Sequence, residues 1–195
     1  MKRILISIRP KWCEKIANGE KTIEIRKTAP KEVPFKAYIY CTKEKPYLYQ
    51  VGESYYDLFY GEPLSDIFLN GKVIGEFICD RIEMVNAKCS DYGIDLFYHD
   101  CLTNGCLTER EIEEYFNIPE DKDLRVMKGN GYVWQISDLK IYNKPKKLSK
   151  FCIPCKVSCE NCKNPLYFEC ACEEKGKKIV TRPPQSYMFV EEVEQ

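Results

Sequence analysis

The chain has 195 residues, of which 44% are hydrophobic and 13% aromatic, and its 30 basic side chains balance 30 acidic ones. This length and apolar content exclude a disordered protein and favour one domain with insertions or a small appendage. No apolar run approaches the length of a membrane-spanning helix, and the N-terminus lacks the long apolar region of a signal peptide. We therefore expect a cytoplasmic protein without a membrane partner.

The neutral net charge hides an uneven distribution along the chain. Residues 1–52 carry twelve basic and five acidic side chains, whereas residues 53–123 carry five basic and seventeen acidic ones. Residues 140–182 return to eleven basic and four acidic side chains. If the two basic segments lie side by side, the protein presents a basic surface to phosphate, which favours an RNA or nucleotide partner.

The hydrophobic pattern predicts mostly strands. In chain order the predicted elements are a strand over 2–8, a helix over 10–18, a strand over 22–26, a strand over 35–42, a Tyr-rich excursion over 45–70 with one helical turn, a long strand over 71–83 bent near Gly75, a capped helix over 108–116, a strand over 131–142 and a closing strand over 185–193. Many strands and few helices predict an α+β fold, with a small, partly closed and mostly antiparallel β-barrel flanked by helices. The capped helix belongs to an inserted helical region.

The segment Gly19-Glu20-Lys21-Thr22-Ile23-Glu24-Ile25-Arg26 places charged groups on a strand that otherwise has a buried pattern. Successive side chains of a strand point to opposite faces, so the two isoleucines share one face while Thr22, Glu24 and Arg26 share the other. Lys21 lies close by, where the strand leaves the turn. Such a polar cluster is typical of a site for a small polar ligand, and the alternative is a half-exposed strand with a solvated ion pair.

Two kinds of chemistry suit this cluster. In a hydrolase, Glu24 activates a water molecule while Lys21 or Arg26 stabilises an oxyanion. In a binding protein, the same groups form hydrogen bonds to the edge of a base and to its phosphate. Binding requires less of the sequence, and we favour it.

The twelve cysteines divide into two groups. Six are scattered, several of them within apolar runs, and are interpreted as small buried hydrophobic residues: Cys13, Cys41, Cys79, Cys89, Cys101 and Cys106. The other six fall within 21 residues in the pattern C-x2-C-x3-C-x2-C-x7-C-x-C. In a reducing compartment the paired spacings predict a structural zinc site, and free thiols or a redox pair are the alternative. The predicted ligands are Cys152, Cys155, Cys159 and Cys162, with Cys170 and Cys172 as alternates.

Residues around the first helix extend the candidate site. Arg9 and Lys11 lie at the helix start, where free backbone N–H groups favour phosphate. Trp12 and Trp134 are candidates for stacking on a base, although aromatic residues in a barrel are more often core. The only histidine, His99, is interpreted as a surface or packed residue. The candidate ligand-binding residues are thus Arg9, Lys11, Trp12, Lys21, Glu24 and Arg26.

The order of elements and motifs resembles the ASCH domain, a branch of the PUA-like superfamily. The resemblance rests on Gly19-x-Lys21-Thr22-x-Glu24-x-Arg26, on Gly71-Lys72-Val73-Ile74-Gly75-Glu76-Phe77 and on the opening Leu5-Ile6-Ser7-Ile8-Arg9-Pro10-Lys11-Trp12. It covers residues 1–83, and the family's last strands correspond to 132–142 and 185–193. The cysteine segment and Thr181-Arg182-Pro183-Pro184-Gln185-Ser186 resemble a longer bacterial and phage version of the domain.

The resemblance implies a barrel of five or six strands over residues 1–142 and 179–195, an acidic insertion near 85–130 and a cysteine-rich appendage over 143–178. The family is thought to act on RNA or nucleotides, with a cleft beside the first helix and the motif strand. One small bacterial member is similar at Gly19, Lys21, Thr22 and Arg26, and hydrolyses N4-acetylcytidine with the lysine, a threonine and a carboxylate. Here Glu24 occupies the threonine's position, so that mechanism does not transfer whole.

Three functional hypotheses follow from these patterns. The first is an RNA- or nucleotide-binding protein with a polar cleft around Lys21, Glu24 and Arg26. The second is a hydrolase in which Lys21 and Glu24 are catalytic, either a nucleoside amidohydrolase of the N4-acetylcytidine type or a ribonuclease. The third is an adaptor that docks a protein partner through the acidic insertion.

Overall fold

The computed structural model describes residues 1–58, 68–86, 90–118, 130–154 and 178–193. Within these ranges the helices are α1 (Pro10–Ala17), α2 (Asp91–Thr103) and α3 (Glu109–Phe116), with a short 3-10 helix at Leu148–Lys150. The strands are β1 (Lys2–Ile8), β2 (Ile23–Arg26), β3 (Phe35–Cys41), β4 (Tyr47–Val51), β5 (Ser54–Leu58), β6 (Val73–Cys79), β7 (Ile82–Asn86), β8 (Asn130–Gln135), β9 (Ser137–Lys146), β10 (Phe151–Cys152), β11 (Tyr187–Phe189) and β12 (Glu191–Glu192). The predicted α+β class is confirmed. None of the described helices is long and apolar enough to cross a membrane.

The largest sheet has five strands in the order β11-β1-β3-β6-β9. β1 and β3 are parallel, and the other neighbours are antiparallel. In β1 the alternation of side chains sends Ile4, Ile6 and Ile8 into the apolar cluster that includes α1, whereas Leu5 enters a second cluster with Phe151. Because both faces of the sheet are buried, side chains on both faces of β1 are apolar, and its sequence is a nearly continuous apolar run.

A second sheet, in the order β2-β8-β7, carries the charged motif. Ile23 and Ile25 belong to an apolar cluster with Phe97 of α2 and Phe116 of α3. Glu24 lies on the other face, directly across from Trp134 of β8. The predicted assignment of the two faces is therefore confirmed, and α2 and α3 cover the apolar one.

Two predicted strands are each divided between two sheets. The strand over 71–83 breaks at Asp80 and Arg81 into β6 and β7, and β6 belongs to the five-stranded sheet while β7 belongs to the three-stranded one. The strand over 131–142 breaks at Ile136 into β8 and β9, which divide in the same way. Within the described residues four separate sheets form, and none of them closes into a barrel.

The other strand predictions also change in detail. The closing strand over 185–193 consists of β11 and β12, separated at Val190 and paired with different partners. The bend predicted near Gly75 corresponds to a register irregularity between β6 and β9. Close approach of these strands explains the glycine, because a Cβ at Gly75 would lie 2.5 Å from the carbonyl oxygen of Lys140.

The Tyr-rich excursion forms a β-hairpin in its described part, and residues 59–67 of the segment, where the predicted helical turn could lie, are outside the described residues. β4 and β5 pair antiparallel around Gly52, whose φ of 61° suits the tight turn. Leu48 and Tyr55 of this hairpin enter the apolar cluster of α1. The side chain of Asn18, at the end of α1, also hydrogen-bonds to the backbone of Tyr55. The hairpin therefore packs against α1 and holds its C-terminal end.

α3 begins as its capping box predicts. The Thr108 hydroxyl accepts a hydrogen bond from the Glu111 backbone N–H, and the Glu111 carboxylate accepts one from the Thr108 backbone N–H at 2.9 Å. The helix ends at Asn117, which adopts a left-handed conformation with φ 51°. α2, which the sequence pattern did not single out, begins at Ser90, whose hydroxyl accepts from the Gly93 N–H.

The two basic segments do not lie side by side in the five-stranded sheet. β1 and β3 of the first segment are separated from β9 of the second by β6. Two of the lysines on this sheet also pair with carboxylates, Lys36 with Glu76 and Lys146 with Glu192. Residues 155–177 of the second basic segment lie outside the described residues, so the basic surface stays a prediction.

Candidate functional site

The charged motif reaches its position through the end of α1. Gly19 adopts a φ of 77°, which only glycine takes without strain, and the chain turns there out of the helix. The backbone N–H of Lys21 then donates to the carbonyl of Lys15, and β2 begins two residues later beside β8. As a result Lys21 and Glu24 are only 3% and 6% exposed, which excludes the interpretation as a half-exposed strand with a solvated ion pair.

Lys21 is held at the floor of the site by three contacts. Its Nζ donates a hydrogen bond of 2.8 Å to the carbonyl oxygen of Gly105 and lies 3.8 Å from Glu24 Oε2. It also lies 5.3 Å from the centre of the Trp12 ring. Burial lowers the pKa of Lys21 below its ordinary value, although the nearby Glu24 carboxylate acts in the opposite direction.

Glu24 and Arg26 form the second part of the floor. Arg26 Nε lies 2.8 Å from Glu24 Oε1, and Arg26 Nη2 donates to the Ser7 carbonyl at 2.6 Å. The close Nε contact has the distance of an ion pair, but its N–H is not directed at the carboxylate and finds no hydrogen-bond acceptor among the described residues. Buried donors without an acceptor are rare in folded proteins, and among the described residues the other example, Trp134 Nε1, lies in the core and not in this site.

These three residues lie in a cleft of about 620 Å³, within the usual size range of small-molecule sites. α1, β2 and α3 form its walls, and the end of β1 and the residues that follow β3 close one side. The lining residues are Ser7, Ile8, Arg9, Trp12, Lys21, Glu24, Ile25, Arg26, Thr42, Glu44, Leu107, Glu111, Glu114, Tyr115 and Gln185. Five of the six predicted ligand-binding residues therefore come together in one cleft, and Lys11 is the exception.

Two aromatic side chains line the cleft. Trp12 lies on α1, and Tyr115 lies on α3 with 37% of its surface exposed. Burial raises the pKa of the Tyr115 hydroxyl, so it stays protonated at neutral pH. Trp134, the other predicted stacking residue, does not line the cleft. Its ring is fully buried between Phe35 and Tyr187, which confirms the core interpretation.

The predicted phosphate contacts at the helix start form surface ion pairs instead. Arg9 Nε lies 3.3 Å from Glu44, and the Arg9 side chain is 73% exposed. Lys11 Nζ donates to Glu111 at 2.6 Å and lies 4.4 Å from the centre of the Trp12 ring. Exposed pairs of this kind contribute little to stability, so a phosphate at the rim can replace the carboxylate partners.

The cleft is mixed in charge. Among its lining residues are three cations, Arg9, Lys21 and Arg26, and four carboxylates, Glu24, Glu44, Glu111 and Glu114. Such a lining does not attract a group with several negative charges into the interior. A neutral heterocycle with polar edges is a better electrical match.

Several residues of the site were not found by sequence reasoning. Ser7 and Gly105 supply the carbonyl groups that hold Arg26 and Lys21, and Tyr115 supplies a wall. The Thr108 capping box was a usable signal for α3, but nothing in the sequence indicated that α3 faces the motif strand. Carbonyl groups carry no side-chain signature, so their role is visible only in the fold.

The cysteine predictions are tested only in part. Cys13, Cys41, Cys79 and Cys101 are buried, as predicted, and burial raises the pKa of the Cys79 and Cys101 thiols to about 12. Cys106 is partly exposed, and Cys89 lies outside the described residues. Cys152 is buried in β10, whereas the other predicted ligands Cys155, Cys159, Cys162, Cys170 and Cys172 lie outside the described residues. No cluster of three metal-binding side chains occurs in the described ranges.

His99 has the position that sequence reasoning assigned to it. It is exposed on α2, away from the residues that line the cleft. Its backbone carbonyl accepts a hydrogen bond from the Thr103 hydroxyl at 2.7 Å. We assign it no functional role.

The fold is similar to that of ASCH from Zymomonas mobilis. The crystal structure of that protein matches with a TM-score of 0.53 at 16% identity, covering 99% of this chain and 99% of that chain. Crystal structures of two of its mutants give TM-scores of 0.55 and 0.54, again at 16% identity, covering 98% and 97% of this chain and 91% and 89% of theirs. No protein-family model matches the sequence, and a search of curated proteins gives no match. The chain therefore shares the fold of that ASCH protein, which supports the predicted architecture.

Proposed function

We propose that the protein binds a nucleobase in this cleft, either as a free nucleoside or nucleotide or as part of RNA. The observation that carries the proposal is the buried row of Lys21, Glu24 and Arg26, which retains an unpartnered N–H at the floor of a cleft of about 620 Å³. Keeping three charged side chains buried is costly, and an unpaired donor adds to the cost. A polar ligand that satisfies these groups offsets it.

The shape and lining of the cleft suit a flat base. The Trp12 and Tyr115 rings provide apolar faces, and stacking on an aromatic side chain contributes about 1–3 kcal/mol per base. The charged row provides hydrogen bonds to the base edge. Since four carboxylates share the lining with three cations, the phosphate lies outside, at the rim with Arg9 and Lys11.

Tryptophan fluorescence and calorimetry test this proposal. The chain has two tryptophans, and since Trp134 is fully buried, a change in emission on adding a ligand reports mainly on Trp12. We expect saturable binding of at least one of the common ribonucleosides or of a short single-stranded RNA. By calorimetry, Trp12→Ala should weaken that binding about tenfold, the loss of one stacking contact.

The matched control is Tyr92→Ala, because Tyr92 is 73% exposed on α2 and does not line the cleft. It should bind as wild type does. An RNA ligand is distinguished from a free nucleoside by a steep loss of affinity with salt, since only RNA presents a row of phosphates. Absence of saturable binding across the panel would contradict the proposal, as would equal weakening by the Tyr92 variant.

Hydrolysis is a second candidate, which the lowered pKa of Lys21 favours because a neutral amine acts as a base. In this scheme Lys21 or Glu24 takes a proton from water, and the oxygen of that water attacks the acetyl carbonyl of N4-acetylcytidine. The base then returns the proton to N4 as the C–N bond breaks, so that acetate and cytidine leave. Arg26 stabilises the oxyanion. Against it, Lys21 Nζ is held by the Gly105 carbonyl. Release of cytidine, or cleavage of RNA, that is lost in Glu24→Gln would support the enzyme, and binding without turnover supports the first proposal.

Two further hypotheses stay predictions. The zinc site depends on residues outside the described ranges, and elemental analysis of protein purified without added metal should find about one zinc per chain. The adaptor role of the acidic insertion predicts a protein partner that depends on α2 and α3.

A further inference from the structure

The polar row at the floor of the cleft has a fixed order of donors and acceptors. Lys21 Nζ lies 3.8 Å from Glu24 Oε2, and Arg26 Nε lies 2.8 Å from Glu24 Oε1. The carboxylate is therefore flanked by a donor on each side. The three side chains are 2%, 8% and 11% exposed, so packing fixes their positions before a ligand arrives.

Each group of the row keeps capacity for a ligand. The Lys21 amine donates one hydrogen bond to the Gly105 carbonyl and has further N–H donors for a ligand. Arg26 Nη2 donates to the Ser7 carbonyl, and the Arg26 Nε–H has no acceptor among the described residues. A carboxylate held between two cations accepts hydrogen bonds and donates none. Across the cleft the pattern is donor, acceptor, donor.

We propose that the cleft selects a base with the complementary edge of acceptor, donor, acceptor, which is the cyclic imide edge of uracil. This inference rests on the proposed function, since it names the class of base that the same cleft takes. The imide N–H donates to Glu24, while the two flanking carbonyl oxygens accept from Lys21 and Arg26. All three buried groups are then satisfied by one planar ligand.

The other common bases complement the row less well. Cytosine places its ring N3, an acceptor, against the Glu24 carboxylate, and adenine does the same with N1. Guanine offers an N–H to Glu24, but its amino group then points at one of the two cations. Unmatched polar groups in a buried site are strongly disfavoured. The row therefore weakens the binding of these bases and strengthens the binding of uracil.

Competition among nucleosides on the wild-type protein tests the inference without altering the fold. Uridine should bind about tenfold or more tightly than cytidine, adenosine or guanosine, the usual effect of one charge-assisted hydrogen bond. N3-methyluridine, which lacks the imide N–H, should lose binding to a similar extent. Ribothymidine keeps the imide edge and serves as the matched control, because its methyl group is on C5, which is not part of that edge.

A substitution at Glu24 provides an independent test. A glutamine amide presents one acceptor and one donor, so Glu24→Gln can donate to cytosine N3. The ratio of uridine to cytidine affinity should fall about tenfold or more. Glu83→Gln, an exposed change on β7 outside the cleft, should keep the wild-type ratio.

The outcomes separate the inference from the function on which it rests. Preference for uridine, lost on N3 methylation, supports the inference. Tighter binding of cytidine, adenosine or guanosine would overturn it while leaving a nucleobase-binding protein. If neither the nucleosides nor uridine and cytidine oligonucleotides bind, the proposed function fails and the inference fails with it.

Discussion

Replacement of Glu24 by alanine is expected to lower the free energy of unfolding by about 3–5 kcal/mol, the usual cost of removing one partner from a buried ion pair. Glu24 is 6% exposed, and its carboxylate is the anion between Lys21 and Arg26. Without it, two cations remain buried with no opposing charge. Urea unfolding followed by circular dichroism measures the change.

A matched control is Glu83→Ala. Glu83 forms a pair with Arg81 at 3.2 Å, and its side chain is 52% exposed, so the loss should stay below about 1 kcal/mol. Adding Lys21→Met to Glu24→Ala should restore part of the lost stability, because one unpaired buried charge is removed. If Glu24→Ala costs no more than the Glu83 control, the row is a solvated surface cluster and not the floor of a site.

Substitution of Gly105 by alanine is expected to disturb both stability and the site. A Cβ at Gly105 would lie 2.6 Å from the Cys101 carbonyl oxygen and 2.6 Å from Ile25 Cδ1. The backbone must move to relieve these clashes, which costs about 1–3 kcal/mol in a packed region. Because the Gly105 carbonyl then moves out of hydrogen-bonding distance of Lys21 Nζ, nucleoside affinity should also fall about tenfold.

The control for this variant is the adjacent Asn104→Ala. Asn104 is exposed, and the substitution removes only the hydrogen bond of 3.0 Å from its side chain to Asp100. The change should cost within about 1 kcal/mol and leave nucleoside affinity unchanged. Wild-type affinity in Gly105→Ala would show that the carbonyl does not position Lys21. Unfolding by urea and titration calorimetry give the two readouts.

The sequence predicted correctly those features that depend on interactions between residues close together in the chain. The two faces of β2 follow from the alternation of a strand, and Ile23 and Ile25 pack where that alternation puts them. The Thr108 capping box marked the start of α3, since the cap is made within one turn. The burial of β1 was likewise visible in its apolar residues.

Strand boundaries could not be read, because the sequence does not mark where a chain changes sheets. The segment over 71–83 has the pattern of one long strand, yet β6 pairs with β3 and β9 while β7 pairs with β8. The change occurs at Asp80 and Arg81, between the two sets of pairings. Only the complete set of pairings fixes the break.

The sequence by itself determined which charged residues lie together on the motif strand and its preceding turn. The spacing of Lys21, Glu24 and Arg26 put them within reach of one another, because neighbours along a turn and strand need no further folding to meet.

Only the tertiary structure decided that this row is buried, that the Ser7 and Gly105 carbonyls hold it and that Trp12 and Tyr115 flank it. These contacts join residues far apart in the chain. Burial and its electrostatic consequences depend on the packing of the whole domain, and no local spacing specifies them.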